Sequence, residues 1–183
     1  MKTRILEGTI AVFREKGVRF TMDDLANELS MSKKTIYRVF PDKSTMLMEL
    51  IDFVFDRIHL EKQRIREDSS LTSAEQFEQI ICAMPENLTG LDLANLYQIK
   101  DRYPEHYRRI EEQLDSGWEL TFEVMRQAVE DGYFRPVNEE LFKTIYGSTL
   151  KHFLSCDELQ KCETTYIKAL KALADVLVNG IRV

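Results

Sequence analysis

Polar and apolar residues alternate at helical spacing along most of the chain, and the stretch TMDDLANELSMSKKTIYRVFPDK has the clearest pattern. Its first half begins with the N-cap residue Thr21, followed three positions later by Asp24 in a variant of the capping box. Its second half begins with another N-cap residue, Ser32, and places Ile36 and Phe40 on one face. Helices this short are not stable alone in water, so their apolar faces must pack against the rest of the chain. The pattern therefore predicts two short helices joined by a tight turn.

The opposite face of the second helix carries a compact set of cations and hydroxyl groups. These residues are Lys33, Lys34, Thr35, Tyr37 and Arg38. Such a face is typical of a helix-turn-helix motif, in which the second, recognition helix enters the major groove of DNA. The alternative is a surface helical hairpin with ordinary solvated charges.

The neighbouring segments complete a small domain and extend it. Residues 5–17 have apolar positions at helical spacing and end at Gly17, where a C′ glycine is expected; Gly8 within them suggests a close helix contact. After Pro41, Asp42 caps a further helix that is predicted to run to about Arg66. This helix is too long for the DNA-binding domain alone, so we interpret it as a rigid connector. The predicted domains are residues 1–47 and 48–183.

The charges are divided unevenly between these two parts. The chain has a net charge of −6, yet residues 1–47 carry nine Lys and Arg against six Asp and Glu, a net +3. Residues 48–183 carry sixteen against twenty-five, a net −9. A basic N-terminal part on an acidic remainder favours contact of the N-terminal part with phosphate.

Composition narrows the class of protein further. Apolar residues make up 44% and charged residues 31%, which indicates a folded chain rather than a disordered one. Seven Gly and four Pro suit an all-α protein with short connections. Three Cys without C-x-x-C spacing do not form a disulfide framework. No stretch has the pattern of a signal peptide or a membrane helix, so we expect a cytoplasmic protein with no membrane partner.

The motif S-K-K-T-I-Y-R-V-F-P-D-K, at its distance behind I-L-x-G-T-x-x-x-F, resembles the DNA-binding domain of the tetracycline-repressor-like (TetR) family. The resemblance covers the first quarter of the chain, and the rest is similar only in helical layout. It implies a dimeric, ligand-released repressor of a palindromic operator. The DNA-contacting residues would be Thr21, Ser32, Lys33, Lys34, Thr35, Tyr37, Arg38 and Lys43. Lys33, Lys34 and Thr35 are expected at base edges and neighbouring phosphates, Tyr37 and Lys43 at phosphate, and Arg38 at either.

Lys34 departs from the family pattern, and Asp23 and Asp24 carry negative charge that opposes contact with phosphate. The position of Lys34 is very often a small residue in the family, so Lys34 either adds affinity or changes the bases read. Thr21 and Ser32 would cap helices whose N-termini face the DNA backbone. Asp23 and Asp24 lie on that side and are unfavourable unless they point away.

Apolar spacing, together with capping residues, Pro and Gly, predicts the remaining helices. Thr72 and Glu75 form a capping box ahead of a helix that Pro85 ends. Further helices are predicted over 91–102, from Pro104 to about 131 with a kink at 115–117, over about 138–154 and over 159–181.

The final helix is apolar on two faces. One stripe contains Ile167, Leu170, Ala174, Leu177 and Ile181, and a second contains Tyr166, Ala169, Leu173 and Val176. A helix that is apolar on both faces is buried on both. By the family resemblance, the last two helices form a four-helix dimer interface, and we assign Leu170, Ala174, Leu177 and Ile181 to it. The alternative is a central core helix of a monomer.

By the same resemblance, the C-terminal helices surround a pocket for a small-molecule effector. An apolar wall with a few polar tips is what such a pocket requires. We choose Tyr97, Trp118, Phe122 and Tyr146 as its lining.

Other chemistry finds little support. His152 and Cys156 are four residues apart, with Cys162 nearby, but no further metal ligand is evident; His59 and His106 are expected in solvent. No phosphate-binding glycine loop or nucleophile motif occurs, so neither cofactor nor catalysis is expected.

Two other classes of protein stay open. A lack of DNA affinity at low salt would favour a protein-interaction module, and turnover of a bound compound would favour a helical enzyme. No motif identifies the operator, the effector, or whether the protein represses or activates transcription.

Overall fold

The structure is a computed structural model that describes residues 1–85, 88 and 97–183, apart from the side chains of Tyr97, Gln98 and Asp101. Within these ranges the chain consists of α-helices with short connections and contains no β-strand beyond an isolated bridge between Phe134 and Arg182. The all-α prediction is confirmed. None of the helices in the described ranges is long and apolar enough to cross a membrane.

The first three helices form the head of the molecule, a name we use for residues 1–47. They are α1 (Lys2–Lys16), α2 (Met22–Glu28) and α3 (Lys33–Tyr37), with a 3₁₀ turn at Gly17–Arg19. Gly17 ends α1 with φ at 60°. Gly8 lies against α2, because a Cβ there would come within 2.8 Å of Leu29 Cγ. The predicted close helix contact at Gly8 is therefore confirmed.

The helix α4 (Lys43–Glu67) leads from the head into residues 48–183, which we call the body. Asp42 caps it, and its carboxylate accepts a hydrogen bond of 2.7 Å from the Thr45 N–H. At 1.5 Å per residue, its 25 residues span about 37 Å. Its end lies one residue beyond the predicted Arg66.

The body contains seven further helices among the described residues. They are α5 (Ser73–Ile81), α6 (Tyr97–Arg102), α7 (Pro104–Asp115), α8 (Glu119–Glu130), α9 (Glu139–Ser155), α10 (Glu158–Lys161) and α11 (Tyr166–Asn179). The Thr72–Glu75 capping box begins α5 as predicted. Of the predicted helix 91–102, residues 91–96 lie outside the described ranges and α6 covers the rest.

Two predicted long helices are interrupted. The one expected from Pro104 to 131 is divided into α7 and α8, because Gly117 has φ at 67° and no helix continues through that conformation. The one expected over 159–181 begins only at Tyr166. Glu163 has φ at 50°, and Thr165 then caps α11 by accepting from the Lys168 N–H.

Two clusters of buried side chains make up the core. The head cluster joins α1, α2, α3 and the start of α4 around Ile5, Leu25, Ile36 and Phe40, as expected from the sequence. The body cluster is built around Phe77 on α5, and α5 packs most extensively against α8. Phe13, Met84 and Tyr103 are partly buried against both clusters, so head and body are in direct contact. The domain boundary at residue 47 stays a prediction.

Candidate DNA-binding surface and ligand cavity

The recognition helix α3 is anchored through one buried residue and one cap. Ile36 is fully buried in the head cluster. The Thr35 N–H donates to Ser32 Oγ at 3.1 Å, and the two hydroxyls are 2.9 Å apart. These contacts turn the opposite side of α3 toward solvent.

That outer side presents three residues without internal partners. The side chains of Lys34, Tyr37 and Arg38 are exposed and make no hydrogen bond or ion pair with other residues in the described ranges. Thr35 is partly buried beside them. One surface therefore offers two cations, Lys34 and Arg38, and one phenol, Tyr37, all of which can donate hydrogen bonds to phosphate or bases.

The two aspartates of α2 differ in what they contact. Asp23 Oδ1 lies 2.9 Å from Lys33 Nζ, and this ion pair raises the pKa of Lys33. Asp24 accepts from Lys16 at 2.5 Å and from the Thr21 N–H and hydroxyl. The bond from Lys16 contributes most, and together these bonds lower the pKa of Asp24 to about 2. Asp24 is thus occupied by the capping box, whereas Asp23 neutralises one cation of the recognition helix.

Lys43 lies differently from the expectation of a free phosphate-binding cation. Its Nζ donates to the carbonyl oxygens of Val18, at 2.8 Å, and Phe20, and lies 3.9 Å above the Phe20 ring. Burial, with a smaller contribution from Arg102, lowers its pKa to about 8. In this position the amine ties α4 to the 3₁₀ turn, and contact with phosphate would require the side chain to leave both carbonyls.

Three of the four residues chosen for the ligand pocket form an aromatic cluster in the body. The ring of Trp118 lies 5.6 Å from those of Phe122 and Tyr146, and the Tyr146 hydroxyl donates to the Ile81 carbonyl. Lys62 of α4 is partly buried near Trp118, with Nζ 5.9 Å from its ring. The side chain of the fourth, Tyr97, lies outside the described part of the chain.

The cavity found in the structure is elsewhere, between α4 and α7. Its volume is about 130 Å³. Its lining is apolar except for two residues and consists of Ile10, Phe13, Leu47, Leu50, Ile51, Val54, Phe55, Ile58, Met84, Leu88, Ile99, His106, Ile110, Leu114, Leu154 and Tyr166. Trp118, Phe122 and Tyr146 are not among them, so the cavity geometry does not favour the predicted lining.

His106 is the residue whose environment differs most from its prediction. It was expected in solvent, yet it is only 5% exposed and lines the cavity. Its Nε2 lies 2.8 Å from the carbonyl oxygen of Ser44 and 3.3 Å from the Ser44 hydroxyl. His59 is also partly buried, against Gly117, and burial is the main cause that lowers its pKa.

The final helix buries most of the residues that were assigned to the dimer interface in the core of its own chain. Leu170, Ala174 and Ile181 are buried in the core of their own chain, so a second subunit cannot reach them, and Leu177 is partly buried. The outward side of α11 carries Val176, which is 69% exposed, and the exposed Ala172, whereas Ala169 and Leu173 are partly buried against the body cluster. On α9, Leu141 and Ile145 are also exposed.

Metal binding finds no support in the described ranges. Cys156 Sγ lies 3.7 Å from His152 Nε2, but no group of three His, Cys, Asp or Glu side chains that could hold a metal ion occurs there.

Comparison with known proteins connects this geometry to a family. The family model described as "Bacterial regulatory proteins, tetR family" matches residues 5–50, which span α1, α2, α3 and the first turns of α4. The head is a TetR-family DNA-binding domain.

Similarity extends over the whole chain. It is 25% identical over 182 residues to the uncharacterized HTH-type transcriptional regulator YvaF of Bacillus subtilis (strain 168), covering 99% of this chain and 95% of YvaF. Among solved structures, a TetR transcription regulator from Haloarcula marismortui ATCC 43049 matches with a TM-score of 0.69 at 16% identity, covering 100% and 98% of the two chains. The regulator FadR from Bacillus subtilis, solved with stearoyl-CoA, matches at 0.61 and 16%, covering 99% and 100%.

The helix caps predicted for the TetR-family head are all present in the structure, whereas the cavity between head and body was not predicted. One signal for it was present. The face of α4 that carries Leu47, Leu50, Ile51, Val54 and Ile58 is more extensively apolar than a simple connector needs. The position of His106 opposite that face could not be read from spacing, since the two lie about 60 residues apart.

Proposed function

We propose that this chain is a homodimeric transcriptional repressor that binds a palindromic operator in the cytoplasm and is released by a small molecule. The observation that carries the proposal is the outer side of α3. There Lys34, Tyr37 and Arg38 are exposed without internal partners, on a head of net charge +3 attached to a body of −9. Such a surface meets phosphate and base edges, while the acidic body is repelled from DNA.

The individual contacts are proposed as follows. Lys34 and Thr35 read base edges, Tyr37 binds phosphate, and Arg38 reaches either. Lys33 joins them once DNA phosphate displaces Asp23, since the ion pair between the two is exposed and therefore weak. Lys43 positions the start of α4 from its place on the carbonyls of the 3₁₀ turn.

Dimerisation is proposed through the outward face of α9 and α11. Val176, Leu141 and Ile145 are large apolar side chains exposed on these two helices. A two-fold pairing would cover them and set two recognition helices on successive major grooves, which requires a spacing of about 34–36 Å.

FadR, solved with stearoyl-CoA, supports a small-molecule effector for this chain too.

The function is tested by selecting bound duplexes from random DNA. We expect an inverted repeat with half-sites about one helical turn apart. Thr35→Ala or Lys34→Ala should alter base preference at one position of each half-site, whereas Tyr37→Phe should weaken all sequences alike. Each phosphate contact should contribute about −0.9 to the slope of log K against log salt. Recovery of no preferred duplex at low salt would refute the proposal and favour an interaction module.

A further inference from the structure

Two cations of the head lie differently at the 3₁₀ turn. Lys43 is drawn inward, since its Nζ donates to the carbonyl oxygens of Val18 and Phe20. Arg19 stands between these two acceptors in the sequence, yet its side chain is exposed and makes no ion pair or hydrogen bond within the described ranges. The turn therefore presents an unpaired guanidinium at its surface, while the amine of Lys43 is occupied.

A second unpaired guanidinium reaches the same place from the body. Arg102 is the last residue of α6, and its Cζ lies 5.7 Å from the ring of Tyr103, which packs against the head cluster. The Tyr103 ring lies 5.2 Å from that of His106, whose Nε2 is 2.8 Å from the Ser44 carbonyl oxygen. These contacts hold the end of α6 beside the first turn of α4.

Electrostatics place Arg102 close to the amine of Lys43. Burial lowers the pKa of Lys43 to about 8, and the positive charge of Arg102 contributes to the shift. Arg102 is exposed and makes no ion pair or hydrogen bond with another residue in the described part of the chain. Like charges at one place repel each other, and an anion that binds between them relieves the repulsion. Arg19 and Arg102, which we call the flank, are therefore two cations that lack an anion.

The flank lies beside the recognition surface and not on it. Only the buried Phe20 separates Arg19 from Thr21, which is an expected DNA contact, and neither arginine of the flank belongs to α3. Residues outside the recognition helix contact the sugar-phosphate backbone at the border of the groove, whereas base edges are read within it. Arginine suits this partner, because its planar fork can donate two hydrogen bonds to one phosphate.

We propose that Arg19 of the head and Arg102 of the body bind DNA phosphates at the border of each half-site, so that the body contributes directly to operator affinity. The proposal rests on the DNA-binding function proposed above and adds a contact outside the helix-turn-helix motif. The body has a net charge of −9 and is as a whole repelled by DNA. Arg102 offsets part of this repulsion at the point where the body meets the head.

The experiment measures the affinity of the full-length protein for two duplexes over a range of potassium chloride concentrations. One duplex is the operator selected from random DNA, and the other is an unrelated sequence of equal length. Arg19→Ala and Arg102→Ala should each reduce the magnitude of the slope of log K against log salt by about 0.9. Each should weaken both duplexes alike, by roughly five- to tenfold at about 0.1 M salt, because a phosphate contact carries no sequence information.

Two further variants separate a phosphate contact from other effects of charge. Arg102→Lys keeps the cation and should keep the slope. Arg108→Ala is the matched control, because Arg108 is an exposed arginine of the body that lies two residues beyond His106, and therefore on the side of α7 away from α4. It changes the net charge by the same amount and should leave the slope as it is.

Phosphate ethylation locates the contact on the DNA. Ethylation of a phosphate at the border of each half-site should interfere with binding of the wild-type protein and no longer with binding of Arg102→Ala. A purely structural role of Arg102 through the Tyr103 ring would instead lower the urea midpoint and leave both the slope and the interference pattern unchanged.

The results separate this inference from the proposed function. Failure of the wild-type protein to select any duplex refutes both. Operator binding with a wild-type slope in Arg102→Ala, or with an equal loss of slope in Arg108→Ala, overturns the flank contact alone. A loss of slope in Arg19→Ala but not in Arg102→Ala confines the contact to the head and likewise overturns the proposed contribution of the body.

Discussion

Some polar contacts within the head and within the body join residues at very different separations along the chain. In the head, Thr21 with Asp24, Ser32 with Thr35 and Asp42 with Thr45 are all pairs three residues apart. In the body, Tyr146 bonds to Ile81 across 65 residues, and Ser73 to Asp131 across 58. The caps that begin α2, α3 and α4 are therefore determined by adjacent residues, whereas the cavity exists only where distant segments meet. A change in the body can alter the ligand and leave the recognition surface as it is.

The largest expected effects come from removing one buried ring in each part. Phe40→Ala and Phe77→Ala each remove a fully buried side chain and should each lower the free energy of unfolding by about 3–5 kcal/mol. Trp118, the only tryptophan, lies in the body and reports on its unfolding. Phe77→Ala should shift the urea midpoint of Trp118 fluorescence strongly, and Phe40→Ala much less while abolishing operator binding. Equal shifts would mean that head and body unfold as one unit.

The second effect concerns the outward face of α11. Val176→Asp should place a charge in the proposed apolar dimer interface and weaken dimerisation at least about 100-fold, because the carboxylate would be buried without a partner. Sedimentation velocity measures the change, and operator binding should fall with it. Lys171→Gln changes the net charge equally at an exposed position on another side of the helix and serves as the control. A dimer that persists in Val176→Asp excludes this face.

Two glycines allow a matched test of packing in head and body. Gly8→Ala should destabilise the head by about 1–3 kcal/mol, because the added Cβ meets Leu29. Gly147→Ala in α9 meets nothing within 4 Å and should stabilise the body by about 0.5–1 kcal/mol through helix propensity. Chemical denaturation followed by circular dichroism measures both. The same sign of change in the two variants would contradict this assignment of the contacts.

The smallest effect is a dependence of body stability on pH. Burial near Trp118 lowers the pKa of Lys62 from 10.5 to about 8. Between these values the unfolded chain holds more protons than the folded one, so stability rises with pH by about 1 kcal/mol from pH 8 to 9. Lys62→Met should remove this rise and be more stable at pH 7. An unchanged pH profile in the variant would assign the rise to another group.

The fold of the head could be predicted from the sequence because its signals are local. A hydroxyl or carboxylate three residues ahead of an N–H can cap a helix, and in the head Thr21, Ser32 and Asp42 each cap one. The same reasoning gave Lys34, Thr35, Tyr37 and Arg38 as the candidate DNA surface. It could not foresee that Lys43 would turn toward two carbonyls, since those belong to a turn more than twenty residues away.

The roles of the body residues could not be obtained in the same way. Periodicity identified two apolar faces on α11 but not which of them meets its own core, so Leu170 and Ala174 were assigned to the wrong side. Aromatic residues such as Trp118 were chosen for the pocket because they are large and apolar. The same properties make them core residues, and only three-dimensional packing separates the two roles.

The position of the cavity also has a consequence for the order in which the protein is made. Most of the head cluster comes from residues 5–50, so the head can fold once these have left the ribosome, whereas α7, which closes the cavity, is synthesised about 60 residues later. Until then the apolar residues of α1 and α4 that line the cavity face water. The nascent chain therefore passes through a stage with a finished DNA-binding surface and an uncovered apolar one, when it is most prone to association with other chains.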